Sequence, residues 1–366
     1  MIRPFHQLWC VALTAGLAAL PWAAGAAPAI HIEKVVGPET PTGRYKHPSS
    51  LTELGNGDLY LAYYGGEGEY ALATTVFGLR LAKGAAQWSA PEPIARNPFY
   101  SMGNPVIWQA SDGRVWLFFV VRPGATWSTS RIMAKISDDQ ARTWSEPFVI
   151  TWEAGTMVRG RPIELTGGDY LLPVYHETGT DIEFVPPDTM SFFLRFDPKS
   201  KRWSESTRIR SRLGNLQPAV VELSPSELLA FCRRGGDYES GQDGFVVRSE
   251  SHDGGQTWTA GVETAFPNPN AAVELIRLRN AHLVFVFNDS MSERTPLLAA
   301  VSTDGGRSFP QRRALASGPG SFAYPTAIQT ADGKIHVTFT SDERTVIRRA
   351  VFEEDALSNA SPDAPR

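Results

Sequence analysis

Residues Ser251 to Trp258 read SHDGGQTW, a Ser-x-Asp-x-Gly-x-Thr-Trp box. Ser302 to Phe309 (STDGGRSF) repeats it with Ser for Thr and Phe for Trp. Ser137 to Trp144 (SDDQARTW) repeats it with Ala141 in place of the glycine. Two degenerate copies end in Trp88 (AKGAAQW) and Trp203 (DPKSKRW). The five aromatic anchors stand about 55 residues apart, the range in which one propeller blade repeats. The box is turn chemistry: Asp and Ser side chains bond nearby backbone, Gly takes a positive φ, and Trp packs between strands. It therefore identifies the fold and is a poor candidate for catalysis.

A second motif interleaves with the first: a strand led by proline, a polar turn, then another strand. Copies run over Pro48–Tyr64, Pro105–Val121, Pro162–Tyr175, Pro218–Cys232 and Pro325–Thr340, and a copy without proline spans Asn270–Phe287. Asn56-Gly57, Asp112-Gly113 and Asp332-Gly333 are hairpin turns, and the flanking alternation of apolar and β-branched residues reads as strands. Two motifs sharing one period predict an all-β, six-bladed β-propeller, which closes radially and leaves no long exposed edge. Residues 30–36 are expected to supply the outer strand that closes the ring on the last blade. One domain is expected over residues 27–357, with a loose tail over 358–366.

Ahead of the repeats stand Arg3, an apolar run from Leu8 to Leu20 and an A-x-A exit at Ala24-Gly25-Ala26. This pattern predicts a cleaved signal peptide over residues 1–26 and an exported protein, periplasmic or secreted; the run is below the ~20 residues needed to span a bilayer. Removing it takes Cys10 away and leaves Cys232 alone, so no intramolecular disulfide is expected. The formal charge of −4 becomes −5 without Arg3, with no Lys/Arg run, which argues against nucleic acid as a partner. No Cys/His spacing suits zinc, and Gly65-Gly66-Glu67-Gly68 reads as a turn rather than a phosphate loop. No metal or cofactor, no membrane span and a monomer are expected.

Repeated boxes at the blade period resemble those of the bacterial neuraminidase repeat, or Asp-box, proteins, and the whole mature chain looks like a sialidase-like domain. The resemblance implies three arginines on a sugar carboxylate, a Tyr nucleophile activated by a Glu, and an Asp acid. Register to the hairpin turns implies which residues stand at those positions. His47 stands where the first arginine would, Arg233 at the second, and Arg294, ahead of TPLLAAVSTDGG, at the third. Tyr324 stands at the nucleophile, and Gln217 replaces the activating Glu. The acid has no match; Glu67 and Glu69 are the nearest carboxylates. A Tyr without its neighbouring carboxylate is a weak nucleophile.

The residue just before each repeated proline supports the same region independently of the resemblance. His47, Asn104, Arg161, Gln217, Pro269 (with Asn270 next) and Tyr324 occupy equivalent positions, which radial repeats bring into a ring around the axis. Donors and acceptors at a funnel mouth suit a sugar; they can also satisfy one another or buried water. The ends of the next strands offer a second set: Glu67, Glu69, Tyr175, His176, Arg233, Asn288, Asp289 and Arg294. Arg161, Arg233 and Arg294 would form an anion clamp, since guanidinium meets carboxylate bidentately. Trp108, Trp116, Trp127 and Trp152 offer either sugar stacking or strand packing.

Three functions follow. The first is an exo-acting, sialidase-like glycosidase on a terminal anionic sugar, sialic acid or uronate, with Tyr324 as nucleophile or stabiliser and Glu67 or Glu69 as acid. The second is a lyase on uronate-containing glycans, with His47 and Tyr324 as base and acid and Arg233 neutralising the carboxylate. The third is a propeller that binds glycans without turnover.

Overall fold

The computed structural model describes Met1, residues 29–237 and residues 244–358. The segment read as a signal peptide lies, Met1 apart, outside the described residues, as do residues 359–366 of the expected tail. Six antiparallel sheets follow one another along the chain. Blade 1 holds strands Tyr45–Glu53, Leu59–Gly66, Thr75–Leu81 and Glu92–Ala95. Blade 2 runs from Ser101–Gln109 to Phe148–Val149, and blade 4 from Asn215–Glu222 to Val262–Pro267. Blade 5 runs from Glu274–Arg277 to Gln311–Ala316. In blade 3 the inner strand is broken, so that Thr156–Val158 and Ile163–Glu164 both pair with Tyr170–His176.

Blade 6 closes the ring. Ala323–Gln329, Ile335–Ser341 and Val346–Phe352 are completed by His31–Val36 from the chain start, which pairs antiparallel with Val346–Phe352 from His31 opposite Val351 onward. This explains why five box anchors serve six blades. The box joins the third strand to the fourth, and in blade 6 that connection does not exist. Within the box at Ser251, the Asp253 carboxylate accepts the backbone N–H of Gln256 and Thr257 and the Thr257 hydroxyl, at 2.6–3.0 Å. These bonds, the Thr257 hydroxyl foremost, hold its pKa down at about 2. Trp258 stacks on Phe193 of the preceding blade with ring centroids 4.2 Å apart, so the anchor joins blades through apolar burial. Trp108 and Trp116 are buried in strand packing, whereas Trp152 is 81% exposed.

One local device shapes the axis. Where a ring residue precedes proline, the proline has no N–H to give the ladder, and the pairing slips. Register shifts fall between His47 and Ser49, Gly103 and Val106, Leu216 and Ala219, and Ala323 and Thr326. Asn104, Gln217, Asn270 and Tyr324 take φ of 44°, 52°, 52° and 55°. Such left-handed geometry costs of order 1–3 kcal/mol at a bulky residue and is held there by surrounding packing. The bulges place these four residues at one end of the axis.

Candidate functional site

A polar pocket with a cavity volume of about 70 Å³ opens at that end, on the side where each blade's second strand ends. Tyr324, Arg233, Gln217, Asn104, Tyr175, Glu177, Glu69 and Arg344 line it, and Tyr70, Trp127, Ile182 and Val185 make its apolar side. The Tyr70 hydroxyl donates to the Ile182 carbonyl at 3.2 Å, tying the 178–189 loop across the mouth.

Arg233, on the second strand of blade 4, organises the floor. Its Nε donates to Asn270 Oδ1 at 2.6 Å, and its Nη1 donates to Gln217 Oε1 at 3.1 Å and to the Tyr324 hydroxyl at 3.0 Å. Gln217 Nε2 and Asn104 Nδ2 both donate to the Tyr175 hydroxyl, at 3.4 and 3.1 Å. Asn270 Nδ2 in turn donates to the Gly236 carbonyl at 3.0 Å. The amide at Gln217 thus serves as an acceptor for Arg233 and a donor to Tyr175.

Cations surround Tyr324. The guanidinium carbons of Arg159 and Arg294 each lie 5.5 Å from its ring centroid, and that of Arg233 lies 6.0 Å away. Burial opposes ionisation of the phenol, but Arg233, Arg294 and Arg344 outweigh it and hold its pKa below the ordinary tyrosine value. Arg159 is itself buried, donating to Thr326 Oγ1 at 3.0 Å and to the Pro325 carbonyl at 2.7 Å. Arg344, in the loop after Ser341, pairs with Glu69 and donates to the Tyr45 hydroxyl at 2.8 Å. Glu69 also accepts from Tyr45 at 2.9 Å. Glu177 follows blade 3's second strand and is 7% exposed. Burial pushes its pKa up to about 7, with Arg233 pulling it down and Glu69 adding to the rise.

The expected residues divide in their placement. Tyr324, Arg233, Gln217, Asn104 and Glu69 line the pocket, while Arg294 and Asn270 sit directly against that set, Arg294 donating to the Asn270 carbonyl at 2.9 Å. His47 lies behind Tyr324, with ring centroids 4.1 Å apart and Nδ1 2.9 Å from Thr340 Oγ1. Burial, then the positive charges of Arg344 and Arg294, keep its imidazole pKa well below the usual value.

Four expectations of position are corrected. Arg161 lines a separate cavity of about 300 Å³ at the opposite end of the axis. Both arginines lie in the break between Thr156–Val158 and Ile163–Glu164, where Arg159 reaches Tyr324 and Arg161 does not. Gly160 between them is required, because a Cβ there would stand 2.0 Å from the Pro218 carbonyl oxygen of blade 4. Glu67 is exposed and absent from the lining, since the β-turn beyond Gly66 carries it outward. His176 faces the blade edge, 3.5 Å from Glu153, and Asp289 lies 3.9 Å from Arg312. Both occupy strand ends whose alternation points them away from the axis.

Arg159, Glu177 and Arg344 escaped the sequence reading. Arg159 stands three residues before Pro162, just outside the position counted in each repeat. Glu177 directly follows His176 at a strand end of the kind already searched, so that signal was present. Arg344 lies on a loop between second and third strands, which share the pocket side with the strand ends. Among the described residues, no group of three His, Cys, Asp or Glu side chains is arranged to hold a metal ion. No helix among them is long and apolar enough to cross a membrane.

Residues 57–337 match the family of BNR repeat-like domains. Among solved structures, the Hadza microbial sialidase Hz136 is similar with a TM-score of 0.75 and 16% identity, over 89% of this chain and 69% of that one. The intramolecular trans-sialidase of Ruminococcus gnavus, solved with oseltamivir carboxylate, gives 0.74 and 12% over 89% and 98%. A protein of unknown function from Dyadobacter fermentans gives 0.71 and 18% over 88% and 99%. At these identities the likeness is one of fold. No curated protein is similar enough in sequence to match the chain.

Proposed function

As the chain belongs to the family of BNR repeat-like domains, we propose that it is an exported, sialidase-like glycoside hydrolase acting on a terminal anionic sugar, sialic acid or a uronate. The observation that carries this reading is the Tyr324 phenol on the pocket floor, hydrogen-bonded to Arg233 at 3.0 Å with Arg294 packed against its ring. An anionic sugar entering the pocket meets guanidinium charge that suits its carboxylate. Its anomeric carbon then faces a phenol whose ionisation the arginines favour. The field of fixed cations thereby substitutes for the base that Gln217 cannot be. Neutral donors and acceptors at Asn104 and Gln217 suit the hydroxyls. Residues 27–357 form the working unit in this reading, and residues 1–26 direct its export.

The experiment is a turnover screen of the protein on sialylated and uronate-bearing oligosaccharides, read as free sugar. Tyr324→Phe is expected to lower the rate at least 100-fold and Arg294→Ala at least tenfold. Unchanged rates in both variants would sink the site assignment. The non-catalytic reading has one observation in its favour, the amide at Gln217 where an activating carboxylate would stand, and it predicts tight glycan binding with no product. The lyase reading is less well supported, because its base, His47, is buried behind Tyr324 rather than in the pocket wall. An unsaturated product absorbing in the ultraviolet would revive it.

A further inference from the structure

We propose that Glu177 is the catalytic acid of this site, delivering a proton to the leaving-group oxygen, an assignment that rests on the hydrolase reading above. Six blades in chain order put blade 3 opposite blade 6, so Glu177 and Tyr324 enter the pocket from opposite sides of the axis. A nucleophile and an acid must flank the scissile bond in that way. Glu177 also differs from the other two carboxylates that line the pocket. Glu69 is held by Arg344 and Tyr45, which fixes it as a charged acceptor. Glu183 sits exposed on the 178–189 loop. Among the described residues the Glu177 carboxyl has no hydrogen-bond partner, while its backbone N–H is anchored on the Gly155 carbonyl at 2.9 Å. A buried carboxyl held by its backbone, with its acid end unengaged and facing a pocket, is poised for proton transfer.

The titratable groups around it act in both directions. Tyr175 lies on its own strand and Glu183 on the loop that follows. Arg233 reaches in from blade 4, Glu69 from blade 1, and Tyr324 and Arg344 from blade 6. With burial dominant, the carboxyl keeps its proton up to about pH 7. In the first step the Tyr324 phenolate oxygen bonds to the anomeric carbon. The bond to the leaving oxygen breaks, and that oxygen takes the Glu177 proton. In the second step water attacks the anomeric carbon, its proton returns to the Glu177 carboxylate, and the Tyr324 oxygen departs. The net change is hydrolysis with both residues restored.

The test uses two probes that share one sugar, a 4-methylumbelliferyl α-sialoside and an α-2,3-sialyllactose, with the matching glucuronides in parallel. Phenolic leaving groups depart without a proton, whereas lactose does not. Glu177→Gln is expected to lower kcat/KM on the oligosaccharide ~10²–10⁴-fold, the usual range for a lost acid, with less than a tenfold loss on the aryl substrate. The alkaline fall of the wild-type profile near pH 7 should vanish. In Glu177→Ala, added azide should restore turnover of the aryl substrate and yield a glycosyl azide, an outcome that an unfolded variant cannot produce. Wild-type protein inert on all probes would overturn the hydrolase reading, and the acid with it. Active wild-type protein beside Glu177→Gln with equal losses on both leaving groups, or with none, would overturn the acid alone.

Discussion

The two ends of the axial channel are built from the same inner strands and solve opposite problems. At the closed end, the last residue of an inner strand accepts a backbone N–H from the hairpin turn of the preceding blade. Glu53 accepts from Ala331 at 2.7 Å, Gln109 from Gly55 at 2.5 Å and Gln329 from Arg279 at 2.9 Å. Glu164 takes the Ser111 N–H and hydroxyl, and Glu222 takes those of Thr166, at 2.6–3.1 Å. One position keeps one chemistry in five of the six blades, because those blades must satisfy the same turn. At the open end the inner strands instead present His47, Asn104, Arg159, Gln217, Asn270 and Tyr324, five residue types at six places. There the residues serve a single asymmetric pocket, and side-chain to side-chain bonds join Arg233, Gln217, Asn270 and Tyr324. Repetition marks the end that holds the ring together, and loss of repetition marks the end that is free for chemistry.

The sharpest way to break this comparison is at Arg233. Removing it leaves Gln217, Asn270 and Tyr324 without their shared donor. Arg233→Ala is expected to lower kcat/KM on an aryl sialoside or glucuronide ~10²–10³-fold, as for one lost charge-stabilising group. Activity within tenfold of wild type would show that the floor is organised by something else.

Carboxyls at the two ends should respond differently to substitution. Glu177 has its folded pKa raised to about 7, so the folded state binds its proton more tightly than the unfolded chain. The stability it contributes is complete below the unfolded value and is lost as pH rises through about 7. Glu177→Gln should therefore match wild type near pH 5 and be more stable at pH 8 by on the order of 1–3 kcal/mol, read from urea unfolding at both pH values. Equal stability at pH 8 would place the carboxyl in contact with more water than the structure shows. At the closed end Glu222→Ala should instead lose about 1 kcal/mol at pH 8, the usual worth of such hydrogen bonds, with turnover unaffected.

The smallest effect is expected at Arg277, the one inner-strand terminus that is not an acceptor. The hairpin it faces bonds its own N–H, Ser224 to the Glu227 carbonyl at 3.2 Å. No clasp is needed there. Arg277→Gln should shift stability by less than ~0.5 kcal/mol. A larger gain would mean that the blade 4 turn lacks an acceptor after all.

Much of the molecule was legible before any coordinates. Each strand pair announces itself by a turn and an alternating pattern, and the box at each outer connection is local side-chain-to-backbone chemistry. The proline after Asn104, Gln217 and Tyr324 marked the bulges, since a missing N–H must break a ladder wherever it falls. Arg233 and Arg294 were reached through strand ends and the family resemblance. Arg159 and Arg344 were not, because one sits two residues from the counted position and the other on a loop of no fixed register. Glu177 stood at a strand end that was searched, beside His176, yet nothing local distinguished the two. In the folded chain His176 meets Glu153 at the blade edge and Glu177 turns into the pocket.

The sequence by itself determined the period, the number of blades, the closing strand and the end of the axis at which polar residues gather. All of these depend on local hydrogen bonding and on counting. Only the tertiary structure decided which arginines surround Tyr324 and which carboxyl is left without a counter-ion. Those outcomes depend on distances between blades more than 100 residues apart in the chain, such as Glu177 and Tyr324. A charge's effect falls off over a few ångströms, and a step of two residues within the break of one inner strand is enough to move it to the other end of the channel.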